Sequence, residues 1–523
     1  MMFSFGILSF PSRILCFCGS LTLALFYFIE PAFAASSDDK KNSKSIFRPI
    51  NLLQDDTDRA IKETKVVSVP KSRPERAFEE KARITLEDTL CIVDTHYPKL
   101  LQGKVEIDKA EAKTLEAQGA FDPVMQSVNE YKRIQDITKT GEFKNAVHNE
   151  ARVILPTRSG IQLFAEYRVN PNDASSPILQ TGRSGEYSGG AIVPLLRNFI
   201  VNPERAKEQK TKLGQPLAGV NLNLSRMNIL YEASVAYWNW RVAHRKLDVI
   251  NELLKLSIDR ESLVRRRVND GDLPALMIAE AEKEIRRRKG LALKLEREIA
   301  RYGFKLSLYL WSNRNDSPPI LTQDNLSNLQ IDPSRLEESA IEAGITRALS
   351  VRPELAAIAI QREILNVDLK VAKNMMLPKV DLIYRQGYDT GVNGIRNVFT
   401  GGVKMSVPLR QRKARGLIRQ AKLDLTKLDL EEQLLKRKIT LEVKDSASEL
   451  NAAYDRFVQA GEELERARAV ESGERQRFSL GDSSLFLVNR RERDRAETQE
   501  KRIEMLGQYL KALAAFQTVT GNI

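Results

Sequence analysis

Two kinds of hydrophobic spacing divide the chain. Ile161, Leu163, Ala165, Tyr167 and Val169 alternate with Gln162, Glu166 and Arg168. Val380, Leu382 and Tyr384 alternate in the same way with Asp381 and Arg385, and Val403, Met405 and Val407 with Lys404 and Ser406. A period of two predicts strands with one apolar and one polar face. Elsewhere the period is helical: Leu425, Leu428, Leu435, Ile439, Val443, Leu450, Tyr454 and Phe457 follow helical spacing. Asn202 before Pro203 is an N-cap with proline in the first turn. From there to Asp270 only Gly214-Gln215-Pro216 is expected to break a run of helix formers, and Gln411 to Leu480 is a second such run. At ~1.5 Å per residue each run is about 100 Å of helix, too long for a compact globule. The shorter helical stretches, Pro98 to Ala120 with Pro274 to Trp311, and Pro353 to Leu377 with Ser484 to Gly521, add up to lie alongside the long ones.

The second half of the chain repeats the first. Pro98 and Pro353 each open a helix, Pro123 answers Pro378, the stretch 189–195 answers 401–409, and Gly271-Asp272 answers Gly481-Asp482. The Pro123–Pro378 spacing exceeds the Pro194–Pro408 spacing by 41, so 41 additional residues lie in the first strand region. They include the stretches 155–160 and 170–173, and form either a long loop or an additional strand pair. The resulting boundaries are a first repeat at 84–312, with strands at about 121–196 and a tip at 271, and a second at 339–523, with strands at about 379–409 and a tip at 481. A linker at 313–338 joins them.

Composition changes this picture in one direction. With 42% hydrophobic and 29% charged residues, 27 Gly and 20 Pro, the chain is neither collagen-like nor disordered. Residues 1–34 carry one base, Arg13, then an apolar run and Ala32-Phe33-Ala34, the pattern of a secretory signal; 35–83 is a polar segment. Cleavage after Ala34 removes Cys16 and Cys18 and leaves only Cys91, so no internal disulfide can form. Cys91 itself reads as a small buried hydrophobe. The formal charge of +13 would suggest nucleic acid in a cytoplasmic protein. For an exported chain it points to anionic lipid, acidic partners or anionic cargo.

The mature chain has no apolar run of the ~18 residues that a spanning helix needs. Membrane entry would therefore require a β-barrel. About four strands per chain cannot close one, since the smallest closed forms use ~8, so several copies must share it. Catalytic signatures, phosphate loops and metal-ligand spacings are absent; His96, His148 and His244 are scattered. No enzyme and no cofactor is expected. Trp238 and Trp240 point to different helix faces as packing residues. Arg265-Arg266-Arg267 and Arg286-Arg287-Arg288-Lys289 read as solvated faces balanced by Glu282 and Glu284.

The paired helix openings at Pro98 and Pro353, the strand ends Val193-Pro194-Leu195-Leu196-Arg197 and Val407-Pro408-Leu409, Ala236-Tyr237-Trp238, and the tips Arg267 to Gly271 and Arg477 to Gly481 resemble the TolC-like outer-membrane efflux channel family over residues 84–523. The resemblance implies a mainly α fold with a membrane β-barrel: duplicated helical hairpins forming a periplasmic α-barrel, and about four strands per protomer in a shared trimeric barrel. It also implies a homotrimer in outer-membrane lipid that reaches into the periplasm and docks on a periplasmic adaptor with an inner-membrane pump or ABC exporter, for drug efflux or type I secretion. The docking tips would be Gly271, Asp272, Gly481, Asp482 and Ser483, and the periplasmic aperture would be lined by Asn489 and Arg490. Where the best-studied relative has aspartates ringing its aperture this chain has Leu487 and Arg490, so an acidic cation-binding ring is not expected. The competing class, a periplasmic adaptor or coiled-coil tether, would carry one hairpin where this chain carries two.

Overall fold

The structure is a computed structural model that describes residues 84–135, 141–171, 180–311, 321, 332–391 and 394–522. The chain divides into two units, Met1–Lys65 and Val66–Ile523, and all described residues belong to the second. The expected signal, the polar segment 35–83, Asn172, Asp173 and most of the linker 313–338 lie outside the described residues.

The element order is duplicated. The first repeat contains α1 (Leu86–His96), α2 (Pro98–Gln118), β1 (Val124–Gln135), β2 (Phe143–Pro156), β3 (Gln162–Val169), β4 (Glu186–Pro194), α3 (Pro203–Asn269) and α4 (Leu276–Ser307). The second contains α5 (Glu338–Val351), α6 (Pro353–Asn374), β5 (Lys379–Gly391), β6 (Gly394–Ser406), α7 (Arg412–Ser479) and α8 (Leu485–Val519). Local chemistry sets the boundaries. Asn202 accepts a hydrogen bond from the Arg205 N–H at 2.8 Å and caps α3. Thr85 and Asp88 form a reciprocal capping box at α1. Prolines occupy the first turns of α2, α3 and α6.

The expected break at Gly214-Gln215-Pro216 does not occur: α3 runs for 67 residues with Pro216 inside it. A proline there forfeits one backbone hydrogen bond, at ~3 kcal/mol or more. Neighbours brace this stretch from both sides, with α2 lining the same groove and Asp368 of α6 bonding Lys210 at 2.7 Å.

Among the described residues, six strands form one antiparallel sheet in the order β1-β2-β3-β4-β5-β6. This revises the expected count of about four. By position relative to the paired prolines, β1 matches β5 and β4 matches β6. The additional residues of the first repeat are therefore the inserted hairpin β2–β3, not a plain loop.

Helices pack in a continuous layer. Toward the sheet, α2 lies on α3, α3 on α6 and α6 on α7; toward the tips, α4 lies on α3, α3 on α8 and α8 on α7. Midway along, both long helices contribute to one core, of Tyr237, Trp238, Trp240, Leu306, Ile439, Val443, Leu450, Tyr509 and Leu510, in which α8 lies between them and which α1 and α5 cover through Ile92 and Ile341. Both tryptophans are packing residues, as their positions require. Cys91 is half-buried, not fully buried. Among the described residues no helix is long and apolar enough to cross a membrane.

Candidate functional site

Three features could act on other molecules: the tip turns, the charged belt beside them, and the sheet. The two tips share one geometry. At the end of α3, Gly271 has φ 81°, its N–H donates to the Val268 carbonyl at 3.1 Å, and the Asp272 N–H donates to the Arg267 carbonyl at 2.8 Å. At the end of α7, Gly481 has φ 88°, with the matching bonds from Gly481 to Phe478 at 3.1 Å and from Asp482 to Arg477 at 2.9 Å. This is the Schellman stop, in which a left-handed residue lets the chain turn back onto its last free carbonyls. A Cβ built on either glycine meets nothing within 4 Å, so only the backbone conformation demands glycine here.

Gly271, Asp272, Gly481 and Asp482 are exposed, and Ser483 is half-buried with its hydroxyl donating to Glu474 at 2.5 Å. Leu276, Leu480 and Phe486 stand exposed beside them. The two turns differ beyond the glycine. Ser484 accepts from the Leu487 N–H at 3.4 Å and caps α8, whereas α4 begins at Ala275 without a side-chain cap.

The two aperture candidates part company. Asn489 is buried and accepts from Arg260 at 2.8 Å. Arg490 is exposed on the face that also carries Phe486, Arg493, Asp494 and Glu497.

Just behind the tips lies a cluster that the sequence reading did not find. Glu492 of α8 is fully buried, and its carboxylate accepts from Arg260 of α3, from Arg288 of α4 at 3.0 Å and from Arg475 of α7 at 2.9 Å. One carboxylate thus joins both hairpins. Burial pushes the Glu492 carboxyl up, but hydrogen bonds and charge from Arg260 and Arg288 together outweigh it and bring it down to about 2. Arg288 is equally enclosed and also donates to the Leu253 carbonyl at 2.7 Å and to Glu284 at 3.0 Å. The solvated reading of the basic runs therefore holds for Arg265, Arg266, Arg267, Arg286, Arg287 and Lys289, and fails for Arg288. Glu284, four residues before it on the same helix, was the available signal.

The sheet separates charge from apolar surface. On one face Arg152 bonds Glu166, Arg168 bonds Glu186 at 2.6 Å, Arg385 reaches Glu186 at 2.6 Å and Glu166 at 3.3 Å, and Arg396 bonds Asp389 at 2.6 Å. The register places Ala151, Tyr167, Tyr187 and Tyr388 in one row of the opposite face, and Leu155, Leu163, Ala191 and Tyr384 in another. Tyr131, Phe143 and Phe399 share that face.

Among the described residues, two edges of the fold lack partners within the protomer. On one side are α2 and β1, on the other α7 and β6. Leu101, Val105 and Leu115 are exposed on α2, and Leu423, Leu430, Leu434 and Leu441 on α7, where Leu434 is 70% accessible. On α7 these leucines lie opposite the buried stripe of Leu428, Ile439 and Val443. A helix apolar on two faces expects two partners, and that signal was available in the sequence.

Residues 344–522 match the family described as outer membrane efflux protein. The fold is that of the TolC-like outer-membrane channels. Similar solved structures include the outer-membrane channel OprN, at 14% identity over 93% of this chain and 99% of that one with a TM-score of 0.62. The Campylobacter jejuni CmeC outer membrane channel is 11% identical over 93% of this chain and 94% of that one, with a TM-score of 0.59. The open-state Neisseria gonorrhoeae MtrE outer membrane channel is 12% identical over 86% and 96%, with a TM-score of 0.57. At such identities the likeness speaks for the fold. No curated protein matches the chain by sequence.

Proposed function

We propose that this chain, a TolC-like outer-membrane efflux protein by the family match in its second repeat and by its fold, is the passive exit duct of a tripartite efflux or type I secretion system. It acts as a homotrimer that docks on a periplasmic adaptor served by an inner-membrane pump or ABC exporter. The observation that carries this reading is the pair of unpartnered edges. They lie on opposite sides of the same chain, each continuing from helix into strand. The α2/β1 edge of one copy can accept the α7/β6 edge of the next, and a head-to-tail contact of this kind closes into a ring when the rotation per copy is right. Closure buries the leucine stripes and satisfies the β1 and β6 backbones, the condition for a sheet to stand in lipid.

In that ring the tyrosine rows face outer-membrane lipid and the arginine–carboxylate ladder faces water. The tips at Gly271, Asp272, Gly481, Asp482 and Ser483 meet the adaptor, and the exposed leucines and Phe486 beside them supply apolar contact. Arg490 faces the periplasmic aperture, while Asn489 holds Arg260 behind it. The adaptor alternative has no use for a second hairpin or for a six-stranded sheet. Native mass measurement of the protein extracted from outer membranes tests the reading: three copies with heat-modifiable migration are expected. A stable monomer that keeps its β content would overturn it.

A further inference from the structure

The inserted hairpin β2–β3 has no counterpart in the second repeat. We propose that it is part of the membrane wall, so that three copies close an eighteen-stranded barrel in place of the twelve strands that the resemblance implies. The inference rests on the trimer proposed above.

Three observations place the hairpin in the wall. First, it is hydrogen-bonded on both sides. β2 pairs with β1 from Val124↔Ile154 to Gln135↔Phe143, and β3 pairs with β4 from Gln162↔Ile192 to Arg168↔Glu186. β1 and β4 thus have no direct pairing, and removing the hairpin would leave a gap between them. Second, both faces of the sheet run through it. Val153, Leu155, Leu163, Ala165 and Tyr167 continue the apolar face of β4 and β5, and Arg152, Glu166 and Arg168 continue the charged ladder to Glu186 and Arg385. A hairpin lying free in the lumen would expose that apolar row to water. Third, its turn is anchored at the helix end of the sheet. Arg158 reaches Glu208 of α3 at 3.0 Å, the Asn202 side chain donates to the Arg158 carbonyl at 3.0 Å, and the Ile200 N–H donates to the Ser159 carbonyl at 3.1 Å. At Gly160, φ is 86° and an added Cβ would meet the Asn198 carbonyl oxygen at 2.1 Å. The turn is built to fit against the start of α3.

The dimensions agree with this count. Near the sheet each copy contributes α2, α3, α6 and α7, so three copies form a ring of twelve helices. With axes ~9 Å apart that ring is about 110 Å around. Eighteen strands ~4.8 Å apart and tilted by ~40° give about the same circumference, whereas twelve give about 75 Å.

Cryo-electron microscopy of the full-length channel in detergent or nanodiscs should show three copies and eighteen strands. Three copies with a twelve-stranded wall, and 143–169 folded into the lumen or outside, overturns the inference and leaves the trimer standing. A copy number other than three overturns the assembly itself, while strands per copy still read six or four. A second test uses cysteine scanning in a Cys91→Ser background. A membrane-impermeant maleimide should label Gln162→Cys, on the water face, and its labelling should be lost at Leu163→Cys, on the lipid face. Equal labelling of both positions sinks the wall placement.

Discussion

At the scale of single residues, the tip glycines and Glu492 illustrate opposite kinds of constraint. Gly481 has open space around it, so a side chain there costs only the left-handed backbone, about 1–2 kcal/mol. Gly481→Val is therefore expected to leave folding and outer-membrane insertion intact while abolishing export, read as substrate release against trimer abundance on a gel. Loss of the trimer would assign the glycine to the fold. Glu492 is constrained by everything around it. Glu492→Gln removes the carboxylate that Arg260, Arg288 and Arg475 share, while Arg288 keeps Glu284 and Arg475 keeps Glu471, so the cost is expected below the about 3–5 kcal/mol of a fully broken buried pair. Amide exchange should accelerate in the tip halves of α3, α4, α7 and α8 and not in the strands. The carboxyl is held near 2, below its ordinary 4.5. Its contribution is therefore complete above pH 4.5 and is lost as the pH falls toward 2, and the Gln variant should lack that acid-dependent component. Arg490 belongs to the aperture proposal. Three copies around an axis would disfavour cations, so Arg490→Asp is expected to invert the sign of ion selectivity in bilayer recordings at low salt. An unchanged reversal potential would place it elsewhere.

At the scale of elements, α7 carries the most information because it is apolar on two faces. Leu430→Glu with Leu434→Glu removes exposed apolar surface, leaves the buried stripe intact and places charge on the proposed contact with α2. The expected result is a folded but monomeric chain that fails to enter the outer membrane, measured by native mass and fractionation. A normal trimer would exclude this edge from the contact. The same element shows what the sequence makes legible. Long periodic runs with clear stops, Asn202-Pro203 at one end and Gly271 or Gly481 at the other, give helix lengths and tips nearly to the residue, because period and caps are local properties. Pro216 reads wrongly as a break, since the neighbouring helices that brace α3 there are not local to it. The hairpin β2–β3 shows as a length difference between repeats, but period-two spacing alone leaves loop and strand pair open until the pairing partners are known. Glu492 and Arg288 are invisible for a similar reason. Each is one charge among 29% charged residues, and only the convergence of four helices distinguishes them.

For the whole molecule, the two unmatched sides of the protomer have a consequence in time. An unpaired β1 or β6 backbone cannot rest in hydrocarbon, where each bare N–H or carbonyl costs several kcal/mol. On the proposed assembly, a lone chain therefore has no stable place in the bilayer, and the copies are expected to find one another while still in water. Entry into the membrane becomes a collision-ordered event whose rate climbs steeply with the supply of chains. Once the ring has closed there is no free side at which it can begin to come apart, so its loss should proceed at a rate indifferent to concentration.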